Sequence, residues 1–106
     1  MKKITLVILA GGRGSRIKYF TNLLPKPLIK FSGISLLRYI INNFSKYNID
    51  KIYIMCGYKG KLIHKEFDKK IINLVEINCI IEEKPMGTAG SLFSLKKIIK
   101  NDFILI

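Results

Sequence analysis

The chain has 106 residues, 49% of them hydrophobic, and a formal net charge of +12 at pH 7. This length suits one modest globular domain, and the hydrophobic content excludes a disordered or low-complexity chain. The basic balance would fit nucleic acid or an anionic membrane as partner, but the lysines are scattered and arginine is scarce. We therefore expect solvated surface charge, with neither nucleic acid nor a membrane as partner.

The chain begins with an apolar run over residues 4–10 that is rich in β-branched side chains. Such a short run is typical of a buried strand. The preceding Met1-Lys2-Lys3 resembles the basic start of a signal peptide, but no cleavage site of small residues follows the apolar run. Cys56 and Cys79, in apolar strand contexts, are interpreted as small buried residues of a reducing compartment. A cytoplasmic protein is predicted.

The first strand runs into a glycine-rich loop whose residues, in order, are Leu9, Ala10, Gly11, Gly12, Arg13, Gly14, Ser15 and Arg16. Glycines without Cβ atoms can adopt positive φ, so this loop can wrap an anion with successive N–H groups. Arg16 and Lys26 would add positive charge, and no Asp or Glu occurs before Asp50. The pattern predicts a phosphate-binding loop. Its spacing fits neither the Walker A motif nor the dinucleotide fingerprint, because Ser15 and Ile17 stand at key positions.

Pro25 and Pro27 flank Lys26 in the next segment. Each proline fixes φ and removes an N–H donor, so we expect Lys26 on a stiff, extended support. Its ammonium group could then be held over a phosphate.

A turn at Ser32-Gly33 follows, then a helix over about 35–46 and a second strand over 51–56, which complete a strand–helix–strand unit with the first strand. At this length the unit predicts a right-handed parallel crossover and hence an α/β fold. The second strand ends in the turn Gly57-Tyr58-Lys59-Gly60, at the edge where open α/β sheets bind ligands. Tyr58 either contacts a ligand or packs between helix and sheet. A helix over 61–67 follows, with His64 predicted on its surface.

The third strand, over 75–82, leads into a segment of small residues that contains Gly87 and Thr88. A flat base can approach backbone closely only where side chains are absent. Thr88 is a suitable N-cap for a helix that continues to about residue 99. A fourth strand begins at Phe103.

The glycine loop, Pro25-Lys26-Pro27 and Gly87-Thr88-Ala89-Gly90 occur in the order that marks sugar-1-phosphate nucleotidylyltransferases, and the chain resembles this family from its first strand to its last residue. Heptose and mannose 1-phosphate guanylyltransferases resemble most of it. The resemblance implies a Rossmann-like (glycosyltransferase-A-like) parallel sheet with helices on both faces. Residues 1–106 would form the nucleotide-binding N-terminal half, truncated in its fourth strand, without the sugar-binding half. We expect this half to be inactive alone, and its uncovered apolar surface to favour self-association.

By this resemblance, the chain would transfer a nucleoside monophosphate from an NTP to a sugar 1-phosphate and release pyrophosphate. Arg16, on the β- and γ-phosphates, and Lys26, at the α-phosphate and the sugar phosphate, are the predicted catalytic residues. The predicted nucleotide-binding residues are Leu9, Ala10, Gly11, Gly12, Gly14, Ser15, Glu82, Gly87 and Thr88. The family implies Mg²⁺, but its expected aspartate ligand is not in this chain, and no metal ligand is predicted here.

Glu82, or the adjacent Glu83, stands where relatives that use thymidine carry a glutamine. A carboxylate only accepts hydrogen bonds, so it suits the donors of guanine or the 4-amino group of cytosine. We therefore favour GTP over CTP and disfavour dTTP and UTP. The Gly57 to Gly60 turn instead resembles glucose-1-phosphate cytidylyltransferases. A cytidylyltransferase acting on glucose 1-phosphate or choline phosphate is one alternative, and a non-catalytic nucleotide-binding module is the other.

Overall fold

The computed structural model describes residues 3–11, 24–82, 90, 93, 95, 96, 98 and 99, and the backbone of 103–105. The predicted site residues that lie outside the described part of the chain are Gly12, Gly14, Ser15, Arg16, Gly87 and Thr88. Within the described residues, no helix has the length and apolar character needed to cross a membrane.

Two sheets and two complete helices make up the described fold. In chain order the elements are β1 (Ile4–Ala10), a 3-10 turn (Lys26–Leu28), β2 (Lys30–Phe31), β3 (Ile34–Ser35), α1 (Leu36–Phe44), β4 (Ile49–Cys56), α2 (Gly60–Phe67), β5 (Ile71–Ile72), β6 (Val75–Ile81) and β7 (Phe103–Leu105).

The main sheet has five strands in the order β5-β6-β4-β1-β7. The pairs β1 with β4, β4 with β6 and β1 with β7 are parallel, and only β5 runs antiparallel to its neighbour. The strand order reverses beside β1, as in doubly wound α/β sheets. The α/β, Rossmann-like prediction is confirmed, and the carboxyl ends of β1, β4 and β6 lie at one edge.

Apolar side chains cover both faces of this sheet. On one face, α1 contributes Leu37 and Ile41 and α2 contributes Ile63 and Phe67 to a core that includes alternate residues of β1, β4 and β6. On the other face, Val7 and Met55 pack with the fully buried Leu95. Gly90, Phe93 and Leu95 are helical, and of these Leu95 packs against the sheet. The predicted helices on both faces are therefore confirmed, and both-sided burial explains why β1 is apolar at every position except Thr5.

Element ends differ from the sequence-based boundaries for local reasons. α1 begins at Leu36 because Ser35 is its N-cap, with the Ser35 hydroxyl accepting a 3.2 Å hydrogen bond from the Arg38 amide. β4 begins two residues earlier than predicted. The early part of β4 is polar at Asp50, whose carboxylate accepts a 3.2 Å hydrogen bond from the Thr5 hydroxyl on β1.

A short hairpin, β5 with β6, was not predicted from the sequence. Its turn consists of Asn73 and Leu74, which both have positive φ, 50° and 68°. Leucine rarely adopts this conformation, and Leu74 is 96% exposed. The Asn73 side-chain amide donates a 2.8 Å hydrogen bond to the Ser45 hydroxyl at the end of α1, which ties the hairpin to that helix.

Candidate functional site

Three strand ends meet side by side at the carboxyl edge of the main sheet. Ala10 of β1 is in register with Cys56 of β4, which is in register with Ile81 of β6. The residues that follow these three are Gly11, Gly57 and Glu82. We call this set the strand-end junction.

Gly57 and Gly11 touch through their backbones. A Cβ atom built on Gly57 would lie 2.8 Å from both the Cα and the carbonyl oxygen of Gly11, closer than real Cβ atoms approach other atoms. The amide of Tyr58 donates a 3.4 Å hydrogen bond to the same carbonyl oxygen. The end of β1 and the turn after β4 are therefore in direct contact, with no side chain between them.

Glu82 completes the junction at the end of β6, on the side of β4 opposite to β1. Its amide donates a 2.7 Å hydrogen bond to the carbonyl oxygen of Cys56, which continues the pairing of β6 with β4. Its carboxylate oxygen Oε1 lies 3.7 Å from the point where a Cβ on Gly11 would stand. The junction thus combines bare backbone with a half-buried hydrogen-bond acceptor.

The turn after β4 leads into α2 through a residue with left-handed backbone. Lys59 precedes the helix at φ 53° and ψ 34°, and its Nζ lies 5.7 Å from the centre of the Tyr58 ring. Tyr58 is half-buried and bonded through its backbone to Gly11. His64 of α2 bonds Asp68 through Nε2 at 3.2 Å, and its side chain is 44% exposed, in line with its predicted surface position.

Lys26 lies in a different element from the junction, and its predicted extended support is wrong. Pro25 is extended, with ψ 151°, but Lys26 opens a 3-10 turn in which Pro27 is an early residue. Proline suits the start of a helical turn because its φ is already near the helical value. Pro25, Leu28 and Ile29 are buried, whereas Lys26 is exposed. Lys26 therefore lies on a helical turn between buried neighbours, and not on the extended segment that the sequence predicted.

The side chains of Leu9 and Ala10 face the interior. Ala10 is 3% exposed within the core on the α1 and α2 side, and Leu9 is half-buried against the cluster of Val7, Met55 and Leu95. Either residue could contact a ligand at this edge through its backbone.

Sequence reasoning placed Gly11 and Glu82 in the site but left out Gly57. The sequence pattern that could have indicated Gly57 is a glycine directly after each of two strands predicted to be parallel. Such strands end at one edge, where their first loop residues face each other.

The described carboxylates do not form a metal site. Among the described residues there is no group of three or more His, Cys, Asp or Glu side chains placed to hold a metal ion. At the carboxyl edge the described residues supply one carboxylate, that of Glu82.

A mainly parallel, doubly wound sheet with glycine turns at its carboxyl edge defines a Rossmann-like α/β protein with its ligand edge at the strand-end junction. Sequence comparison narrows this class, because the model of the family described as "Nucleotidyl transferase" matches residues 5–106. The chain belongs to the nucleotidyl transferase family.

Individual relatives agree with this assignment. The D-glycero-alpha-D-manno-heptose 1-phosphate guanylyltransferase of Aneurinibacillus thermoaerophilus is 34% identical over 86 residues, which cover 81% of this chain and 37% of that protein. The bifunctional protein GlmU of Methanococcus maripaludis strain C7 is 32% identical over 100 residues, covering 94% of this chain and 23% of GlmU.

Among solved structures, HddC from Yersinia pseudotuberculosis is similar over the whole chain. Its TM-score is 0.83 at 31% identity, and the match covers 100% of this chain and 47% of HddC. A second structure of HddC, complexed with GMP-PN, gives a TM-score of 0.82. The chain thus spans less than half the length of these relatives.

Proposed function

We propose that this chain is the nucleotide-binding part of a sugar-1-phosphate guanylyltransferase. One observation carries the proposal: the Glu82 carboxylate stands 3.7 Å from the side-chain position of Gly11, at the edge where parallel strands end. Bare backbone beside an acceptor suits a flat base that presents donors. The similarity to a heptose 1-phosphate guanylyltransferase and to HddC, solved with GMP-PN, supports the same choice.

The base preference follows from hydrogen-bond chemistry. Guanine presents N1–H and a 2-amino group on one edge, and a carboxylate accepts from both. Uracil and thymine present carbonyl oxygens on either side of one N–H, so a carboxylate would meet repulsion there. Cytosine offers its 4-amino group, which makes CTP the competing nucleotide.

In the proposed reaction an oxygen of the sugar 1-phosphate attacks the α-phosphorus of GTP in line. A new oxygen–phosphorus bond forms while the bond from the α-phosphorus to the bridging oxygen breaks, and pyrophosphate leaves with that electron pair. Such a step needs positioning and charge neutralisation rather than a protein nucleophile. We assign the phosphate backbone contacts to the loop that Gly11 begins, neutralisation of the leaving pyrophosphate to Arg16, and neutralisation at the α-phosphate to Lys26.

Several features stay predictions for the whole protein. Mg²⁺ is one of them, and because the described residues do not themselves form a metal site, no step is assigned to it. A cytoplasmic location, self-association and the absence of nucleic-acid and membrane partners are the others.

The test is pyrophosphate release with each of GTP, CTP, UTP and dTTP against a panel of sugar 1-phosphates. It should be run on the 106-residue chain and on the longest natural protein that contains it. We expect turnover with GTP in the longer protein, and a loss of about 100-fold on Arg16→Ala. Arg38→Ala is the matched control, because Arg38 lies over the ring of Phe67 at 5.3 Å between α1 and α2.

Other outcomes separate the alternatives. Turnover with CTP in place of GTP would make the protein a cytidylyltransferase and overturn the base assignment. Nucleotide binding without turnover in either protein would favour a non-catalytic module. Absence of nucleotide binding would overturn the proposal as a whole.

A further inference from the structure

The contact between Gly57 and Gly11 is tight in a way that no side-chain motion can relieve. Both close approaches, at 2.8 Å, are to backbone atoms of Gly11, and a third, at 3.3 Å, is to its carbonyl carbon. Ordinary contact for a Cβ begins at 3.4 Å. A side chain on Gly57 would therefore push the Gly11 backbone by about 0.6 Å or more.

The conformation of Gly57 does not explain why this residue is a glycine. Among the described glycines, Gly33 alone has φ in the left-handed region, at 81°. The backbone of Gly57 would accept an L side chain if nothing stood in front of it. The neighbouring strand end, rather than a turn requirement, therefore dictates glycine at this position.

Gly11 is the point from which the nucleotide loop starts. It lies next to Ala10, the last residue of β1, and the loop of Gly12 to Arg16 continues from it. Its other neighbour at the junction is the Glu82 carboxylate, and the Tyr58 amide holds its carbonyl oxygen. A shift of Gly11 would change its distance from the Glu82 carboxylate.

We propose that Gly57 is a positioning residue for the nucleotide. By lacking a side chain, it lets Gly11 lie against the turn after β4 and so sets the spacing between Gly11 and the base-reading carboxylate of Glu82. The inference rests on the proposed function, since it concerns the same nucleotide. It adds a residue that touches no part of the reacting groups and acts through Gly11.

Gly60 provides a matched control three residues further on. A Cβ on Gly60 would lie 2.9 Å from the Cβ of Cys56 and 3.7 Å from the side chain of Ile81, so its crowding falls on side chains instead of on the Gly11 backbone. Gly57→Ala and Gly60→Ala therefore make the same chemical change. Only the first places a methyl group against the backbone of Gly11.

The experiment measures GTP affinity by calorimetry, and steady-state kinetics, for the wild type and both variants, in the longest natural protein that contains this chain. Misplacing a binding group by about 1 Å can cost about 100-fold, so we expect Gly57→Ala to weaken GTP binding by about 10- to 100-fold. KM for the sugar 1-phosphate should change by less than about 2-fold. Gly60→Ala should lower thermal stability similarly and leave GTP affinity within about 3-fold of the wild type.

Wild-type GTP affinity in Gly57→Ala, or an equal loss in both variants, would overturn the inference and leave the proposed function standing. A wild type that binds no nucleotide would overturn both the inference and the proposed function.

If Gly57→Ala does not fold, hydrogen exchange of the backbone amides in the wild-type protein tests the inference instead. GTP should slow exchange of the Tyr58 amide by at least about 3-fold relative to that of Leu62, which bonds Lys59 within α2. Unchanged exchange at Tyr58 would overturn the inference.

Discussion

The amide of Glu82 donates a 2.7 Å hydrogen bond to the carbonyl oxygen of Cys56. This bond extends the ladder between β6 and β4 by one residue beyond the last paired position, Cys56 with Ile81. The backbone of Glu82 is therefore fixed by the sheet. A side chain on such a fixed backbone can discriminate between bases, because its carboxylate cannot move to relieve repulsion from a mismatched base.

Glu82→Gln should change the nucleotide preference. An amide can both donate and accept, so it no longer repels the carbonyl oxygens of uracil or thymine and loses one acceptor for guanine. A well-placed base contact is worth about 1–3 kcal/mol of discrimination. We expect kcat/KM for GTP to fall by about 10- to 100-fold and activity with UTP or dTTP to rise. Glu76→Gln, on the exposed part of β6, is the control and should change neither. An unaltered base preference in Glu82→Gln would exclude Glu82 as the reader of the base.

Gly11→Ala and Gly33→Ala should show opposite effects. A Cβ on Gly11 would meet Gly57 and Glu82 only at 3.6–3.7 Å, whereas Gly33 has open space but φ of 81°. We expect Gly11→Ala to fold with a stability change below about 1 kcal/mol and to lose about 10-fold or more in GTP affinity, because the methyl group fills ligand space. Gly33→Ala should lose about 1–2 kcal/mol with unchanged affinity. Urea unfolding and calorimetry measure the two quantities. Retained GTP affinity in Gly11→Ala would argue against a nucleotide at the junction.

Lys26→Met should impair catalysis without affecting the fold. Lys26 is exposed on a turn whose rigidity comes from buried neighbours, so loss of its charge should change the free energy of unfolding by less than about 0.5 kcal/mol. Loss of one stabilising charge at the α-phosphate should lower kcat by about 100-fold. Lys65→Met, on the exposed side of α2, is the matched control. Equal kcat values for the two variants would remove Lys26 from the catalytic residues.

The parts of the fold that could be predicted were those where pattern and burial coincide. β1 is apolar at every position except Thr5 because both faces of the sheet are covered, and α1 has Leu37 and Ile41 at helical spacing on its buried side. β5 could not be found this way, since it has two residues and its turn places Asn73 and Leu74 at positive φ. Tertiary contacts, including the bond from Asn73 to Ser45, override the local preference there.

The candidate site was predictable to the extent that it follows from parallel topology. Strand ends at one edge bring Gly11 and Glu82 together, so their proximity follows from the strand order. The requirement for glycine at position 57 depends instead on the exact register of β1 with β4, where Ala10 lies opposite Cys56. The glycine after each strand indicates that Gly57 lies at the site, but the register that makes a side chain there impossible is not contained in the sequence pattern.

Cys56 and Cys79 lie under α2 as the two buried, free cysteines of the described residues. A hydrogen bond with the Cys79 side chain, and then burial, raise the pKa of the Cys56 thiol well above its ordinary range. The Cys56 thiol also donates a hydrogen bond to the carbonyl oxygen of Ile54, with Sγ 3.6 Å from that oxygen. Cys56 should therefore stay protonated and resist alkylation in the folded protein. Both cysteines are buried, as predicted.

This raised pKa makes stability depend on alkaline pH. In the unfolded chain Cys56 loses its proton near its ordinary pKa of about 8.5, while the folded protein keeps it. The stabilising effect is complete below that pH and is lost as the pH rises, by about 1.4 kcal/mol per pH unit for this one group. We expect the free energy of unfolding, measured in urea between pH 8 and 10.5, to fall more steeply in the wild type than in Cys56→Ala, which has no thiol to titrate. Parallel pH profiles, or rapid thiol labelling of the native protein at pH 8, would contradict a buried and protonated Cys56.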